Sequence, residues 1–550
     1  DTLGKRILRG EFSSKAERDS LYKNATEMII QESVRIWAAT RLDINPARSE
    51  VKGLTQDLGT GLRSPFNPRE AYRTDKKTIT VGHLWVWTEA SVWNPIAGHD
   101  DVYSVDICRG GIWDPYVWRH PFSGKPIPFR WSYTVETAGP TGKLAVPSDA
   151  FLWNNVTDSW KTVGSGVTAT SKVTFDLSKW LGAKWHNGQT ITWADFLYSL
   201  YQHYELAYDR NKSAMESSTS ALLQPILAIY KGYRIVGNSL EVYVDYWHFD
   251  PAYIADYADV VGGDPPFLGV PWELAAGMDR VVFEKKTLAY SESASEKLGV
   301  PWLSGVLKAH AEMVNTAIGE LKAENFLPEN VFKVAGTMYV TSAEAAARFD
   351  ATMGWFKDKG HLVISDGPFY LNVFDPAAQY AELKAFRDPT YPFSKGDWFY
   401  GIPTPPEIVK VGIPTVVPGT PSSLVIDVSG IPPLGVKYLI RDPLTAKILK
   451  IGDAEALTTT RFVIRLTADF TSNLAPGLYE LTMASYSEEV AFVSTGKAFF
   501  DVLSFLPLEK ALTNLGISMS TQLSTVNTNL ATAITSVNSA IASLTSTVNT

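Results

Sequence analysis

The stretch Ala183–Gln202, AKWHNGQTITWADFLYSLYQ, sets a histidine, a carboxylate and two tryptophans within twenty residues. His186 could serve as a base or metal ligand, Asp195 as its partner, and Trp185 and Trp193 as a platform for a sugar. Catalysis or metal binding would need further groups at fixed spacing. The eight histidines stand at 83, 99, 120, 186, 203, 248, 310 and 361, with no HExxH or comparable paired spacing. The run His99-Asp100-Asp101 is the densest set of ligand-like groups, and its place after Asn-Pro-Ile-Ala-Gly reads as a solvated loop. Cys108 is the single cysteine, which excludes an internal disulfide framework and a Cys-based zinc cluster. No Walker loop, dinucleotide fingerprint or nucleophile elbow is present. No pair of carboxylates is nominated for glycoside cleavage. The chain reads as non-enzymatic, with no cofactor and no metal.

Binding is better represented. Of 17 tryptophans, Trp85, Trp87, Trp93, Trp113, Trp118 and Trp131 fall within a short span, interleaved with Tyr103, Tyr116, Tyr133, Asp100, Asp106 and Asp114. Flat rings beside hydrogen-bonding groups suit sugars or peptides, whose apolar faces stack while their polar edges are held. The expected ligand contacts are Trp85, Trp87, Trp93, Trp113, Asp114 and Trp118. For each ring the competing reading is core packing.

The elements that must position these residues follow from periodicity. At 550 residues the chain is long enough for three or four domains. Residues 15–40 carry an apolar stripe at helical spacing, through Leu21, Ala25, Met28, Ile29, Val34, Ile36 and Trp37. Residues 78–403 read as one α+β body, with strands in SKVTFDLS, YRIVGNSLEVYVDY and FYLNVF. Helices are expected near 192–208, 305–323 and 341–358. After the Pro-rich hinge GIPTPPEIVKVGIPTVVPGTP, six or seven short alternating runs over 404–506 predict an immunoglobulin-like β-sandwich. LAPGLYELTM is the kind of segment that enters a late strand of such a domain.

Residues 507–550 differ again, with Glu509 and Lys510 as the only charges from Leu508 onward. Met519, Leu523, Val526, Leu530, Ile534, Val537, Ile541, Leu544 and Val548 are spaced by about 3.6 residues on average, which predicts a nearly straight helical seam. A Ser/Thr-rich helix is weak alone, so the seam predicts self-association as a coiled-coil stalk.

The net charge of −8 disfavours nucleic acid as a partner, because phosphate binding needs a basic surface. No apolar run reaches the ~18 residues of a membrane span. Asn24, Asn155 and Asn211 head N-glycosylation sequons, which permit an extracellular address.

The segment SKVTFDLSKWLGAKWHNGQTITWADFLYSLYQ resembles the signature of the family 5 extracellular solute-binding proteins, the peptide-, nickel- and oligosaccharide-binding receptors of ABC importers. The residues carrying it are Phe175, Leu177, Trp185, His186, Gly188, Gln189, Thr192, Ala194, Asp195 and Phe196. SDGPFYLNVFDP, with Gly367 and Pro368, is similar to a second landmark of that family. The resemblance implies a periplasmic-binding-protein-like body (class II, partial) over 78–403 and an extracellular, cell-surface chain. It also implies an oligosaccharide or peptide ligand and an ABC permease as partner.

Within that likeness the motif is mainly scaffold. Gly188 permits a tight turn, Thr192 caps the helix, and Asp195 completes a capping box on its electropositive first turn. His186 is expected to order the turn through a backbone hydrogen bond. Residues 1–77, with EFSSKAERDSLYKNATEMIIQESVRIWAATRL, resemble a late piece of the family fold placed first. This order predicts a larger precursor whose missing lobe comes from the same precursor or from a companion chain. The alternative is a structural surface subunit, a filament, sheath or S-layer component built on a binding fold.

Overall fold

The computed structural model describes residues 2–33, 35, 44–83, 91–96, 111–259, 269–503 and 527–539. The chain divides into two compact units, Asp1–Ile402 and Pro403–Thr550.

In the first unit, alternation of apolar and polar residues produces a six-stranded antiparallel sheet. Its order from edge to edge is Ser132–Thr137, Ser171–Asp176, Ser239–Val244, Tyr230–Val236, Phe151–Asn154 and Ser159–Thr162. Ser171–Asp176 shows the principle: Ser171, Val173 and Phe175 are buried while the residues between them are less so, as a period of two requires. Helix Trp193–Tyr208 packs against Ser217–Leu227 and Trp272–Asp279. Lys308–Ala323 buries Ala311, Val314, Ala317, Ile318 and Leu321 at helical spacing. A Cβ on Gly277 would stand 2.5 Å from Ile318, so the glycine lets the helices Trp272–Asp279 and Lys308–Ala323 approach. Ser342–Lys359 starts at a Thr341/Glu344 capping box and stops at Gly360, whose φ is +75°.

Helix Lys15–Gln31 buries Leu21 alone, and Met28 and Ile29 are 54% and 60% exposed. Its expected apolar stripe therefore faces solvent at its C-terminal end. Val34, Ile36 and Trp37 lie outside the described residues. Residues 55–70 join the same unit through Phe66, which packs with Phe129 and Trp398. Glu70 accepts hydrogen bonds from the Gly396 and Trp398 amides at 2.7 and 2.8 Å.

The second unit contains two four-stranded antiparallel sheets. One is ordered Glu407–Gly412, Ser422–Ser429, Arg461–Leu466, Glu455–Ala456; the other is Ile448–Asp453, Leu434–Arg441, Gly477–Ser487, Val493–Val502. In chain order this is first, second, sixth, fifth against fourth, third, seventh, eighth, the immunoglobulin-like arrangement. The Tyr479 hydroxyl donates to the Ala475 carbonyl at 2.9 Å, forming the tyrosine corner at the entry to a late strand. Two alternating runs, EVAFVST and KAFFDVLS, contribute to one long strand, Val493–Val502. The hinge supplies the first strand, Glu407–Gly412.

Residues 527–539 form a helix on which Leu530, Ile534 and Val537 are 57%, 54% and 57% exposed. Met519, Leu523, Val526, Ile541, Leu544 and Val548 lie outside the described residues. Among the described residues no helix is long and apolar enough to cross a membrane.

Candidate functional site: a buried clasp beneath the motif turn

The motif forms a strand, a turn and a helix. Gly188 has φ +84°, a left-handed backbone that glycine adopts without strain. Thr192 is extended ahead of helix Trp193–Tyr208, and its amide donates to Asp195 Oδ2 at 2.8 Å. His186 is buried and joins this turn to the distant 365–368 segment. Its amide donates to the Ser365 carbonyl at 3.0 Å, Nδ1 accepts from the Ser365 amide at 3.3 Å, and Nε2 lies 2.9 Å from the Gly367 carbonyl. An accepting Nδ1 makes Nε2 the protonated nitrogen of a neutral ring.

Gly367 is fixed by proximity. Its amide donates to the Ile112 carbonyl at 2.9 Å, and a Cβ there would fall 2.1 Å from the Gly111 oxygen. The Pro368 carbonyl accepts from the Phe386 amide at 2.7 Å.

Two buried ionic networks surround the clasp. In the first, Arg130 lies between Asp114, at 3.2 Å, and Asp366, at 3.7 Å, while Arg69 holds Asp114 from the other side at 2.6 Å. Asp366 also accepts from the Asp114 amide and from Trp180 Nε1, both at 3.1 Å. In the second, Arg348 bonds Asp195 and, at 2.7 Å, Glu273. Asp195 Oδ1 further accepts from the Trp272 amide at 3.0 Å. Asn187 donates to Thr352, which donates to Glu273, so the turn is tied to helix Ser342–Lys359.

Burial pushes Asp195 and Asp366 up to about 6, against the pull of Arg348 and Arg130 respectively. Burial pushes His186, His203 and His361 down to about 4. For a histidine lowered on folding, stability is full above the unfolded value of 6.5 and is lost as pH falls towards 4. Each histidine accounts for about 3 kcal/mol over that interval. The two aspartates have the opposite sign and gain stability as pH falls through about 6. His361 repeats the geometry of His186, accepting from the Val363 amide and facing the Leu371 carbonyl. A proton NMR titration should therefore leave the His186 and His361 ring signals flat from pH 8 to about 5. Ordinary midpoints near 6.5 for both would contradict the buried neutral assignment.

A cavity of about 20 Å³ sits behind the motif helix, lined by Tyr116, Trp180, Trp185, Tyr198, Trp272 and Asp195 among others. It offers roughly the room of one water, far below the ~300 Å³ of a ligand pocket. Among the described residues no three His, Cys, Asp or Glu side chains come together as a metal site.

No protein-family model matches the chain, and no curated protein matches it. Solved structures similar to part of it are immunoglobulin domains. The titin M3 domain is 19% identical, covering 18% of this chain and 97% of that one, with a TM-score of 0.14. The Ig1 domain of mouse SynCAM 2 is 21% identical, covering 18% and 96%, at 0.13. Murine CRIg is 8% identical, covering 18% and 98%, at 0.15. At these scores the likenesses support no functional statement, and the topology of the second unit stands on its own strand order.

The structure brings Trp185, His186, Gly188, Thr192, Asp195, Gly367 and Pro368 to one junction. It distributes the expected ligand contacts differently. Trp93 and Trp113 are each 1% exposed and belong to the main core. Asp114 is fully buried and spends its oxygens on two arginines. Trp118 is half-buried, with its ring edge-on to Trp113 at 5.7 Å. These described side chains are occupied by packing and ion pairing. Trp85, Trp87, Cys108 and the His99–Asp101 run lie outside the described residues. Asn24, Asn155 and Asn211 are all exposed.

Arg69, Arg130, Glu273, Arg348 and Asp366 escape the sequence reading. One signal was available: Arg130 stands between Phe129 and Trp131, where an arginine flanked by core rings needs a buried carboxylate.

Proposed function

We propose that this chain is part of a cell-surface solute-binding receptor of an ABC importer, holding an oligosaccharide or peptide noncovalently and carrying out no reaction. The clasp is the observation that carries the reading. The two segments on which the family resemblance rests are far apart in sequence, yet His186 joins them by hydrogen bonds to Ser365 and Gly367. The interior cavity is too small for a sugar ring, so the ligand sits where a second lobe closes over this one. The immunoglobulin-like unit and the tail serve as spacer and anchor. Calorimetry against sugar and peptide panels, with the missing lobe supplied, should give saturable heat for one ligand class. Flat titrations across both panels would sink the receptor reading.

The helix over 527–539 supports a second reading, a self-associating structural subunit. Leu530, Ile534 and Val537 form an exposed apolar face on an uncharged segment, which another copy could meet without charge repulsion. Long native polymers in electron micrographs, with no bound solute, would favour this reading over the first.

A further inference from the structure

We propose that Asn155 and Asn211 are paired N-glycan attachment sites sharing one patch of the first unit, an inference that rests on the external address proposed above. Each heads a sequon, Asn155-Val156-Thr157 and Asn211-Lys212-Ser213. The fold brings them together. Asn155 Nδ2 donates to the Tyr208 carbonyl at 3.0 Å, and Tyr208 precedes Asn211 by three residues, at most ~11 Å of chain.

The first acceptor stands at the tip of the hairpin between Phe151–Asn154 and Ser159–Thr162. Asn154 Oδ1 holds that turn by accepting from the Val156 and Thr157 amides at 3.0 and 3.1 Å. Asn330 steadies its far side by donating to the Asp158 carbonyl at 2.9 Å. Asn155, Val156 and Thr157 are all exposed, Val156 to 88%, so a transferase can reach the amide and a sugar would shield an apolar tip. Asn211 is exposed beside it, with its backbone fixed by Asp209, whose Oδ1 accepts from the Asn211 amide at 2.9 Å.

The co-substrate is a lipid-phosphate-linked oligosaccharide. Transfer forms a bond between Nδ2 and the anomeric carbon and breaks the bond from that carbon to the phosphate oxygen. The departing lipid phosphate carries away the proton lost by the amide. Nδ2 keeps its second proton.

Glycopeptide mass spectrometry on the chain purified from its native cells tests this, alongside proteolysis of intact cells to establish surface exposure. Both asparagines should carry sugar. Thr157→Ala should abolish modification at Asn155 alone, Thr157→Ser should retain it, and Ser213→Ala should abolish it at Asn211 alone. Bare asparagine at either position in a chain that external protease reaches overturns the paired patch and leaves the receptor reading standing. A chain that protease never reaches, with both sites bare, overturns the external address and the glycan inference together.

Discussion

Replacing Arg130 by methionine should destabilise the first unit by about 3–5 kcal/mol, the range for removing one partner of a buried ion pair. The guanidinium is wholly buried and donates to the Lys179 and Asp366 carbonyls at 2.9 and 2.8 Å besides facing two carboxylates. Methionine fills similar space and supplies none of those donors. Asp114 would retain Arg69, whereas Asp366 would lose the cation that opposes its desolvation. The denaturant midpoint of the first unit, followed by tryptophan fluorescence, reads the loss. Adding Asp366→Asn should recover part of it, because the uncompensated charge disappears and the two changes share a network. An unchanged midpoint in the single variant would show that the network contributes nothing.

Asp195→Ala should have a comparable effect, about 3–5 kcal/mol, for a different mixture of reasons. The helix cap contributes about 1 kcal/mol of this. The Trp272 amide loses its acceptor, and buried Arg348 is left with Glu273 as its one carboxylate beside the Thr190 carbonyl. Asp195→Asn separates the contributions, since its amide oxygen can accept one backbone bond while the charge opposite Arg348 is gone. Its midpoint should fall between those of wild type and the alanine variant. Equality of the asparagine and alanine variants would assign the whole effect to the ion pair.

These two networks mark how far the sequence could be read. The capping residues Thr192 and Asp195 and the turn at Gly188 were legible because their partners lie within a few residues, where local geometry is written in residue type. The immunoglobulin-like strands were legible for the same reason: period-two alternation is local, while the merging of two runs into Val493–Val502, the extra strand in the hinge and the two-residue strand Glu455–Ala456 escaped. His186 was readable as a backbone-bonding residue, but nothing near it names Ser365 or Gly367. The tryptophans show the limit most clearly. Clustering in sequence carries no information about which face of a ring meets solvent, and the described Trp93 and Trp113 spend theirs on the core. Arg348 and Glu273 sit on separate helices whose polar partners are set by tertiary packing, so neither could be paired in advance.

The bond from the Asp114 amide to Asp366 spans 252 residues. At synthesis rates of about 5–20 residues per second, some 13–50 s separate the emergence of its two ends. During that interval Arg69, Asp114 and Arg130 have left the ribosome without the carboxylate that completes their network. Completion of this network waits for the late half of the first unit. Burial of those charges is complete only when the 365–368 segment has emerged to meet them.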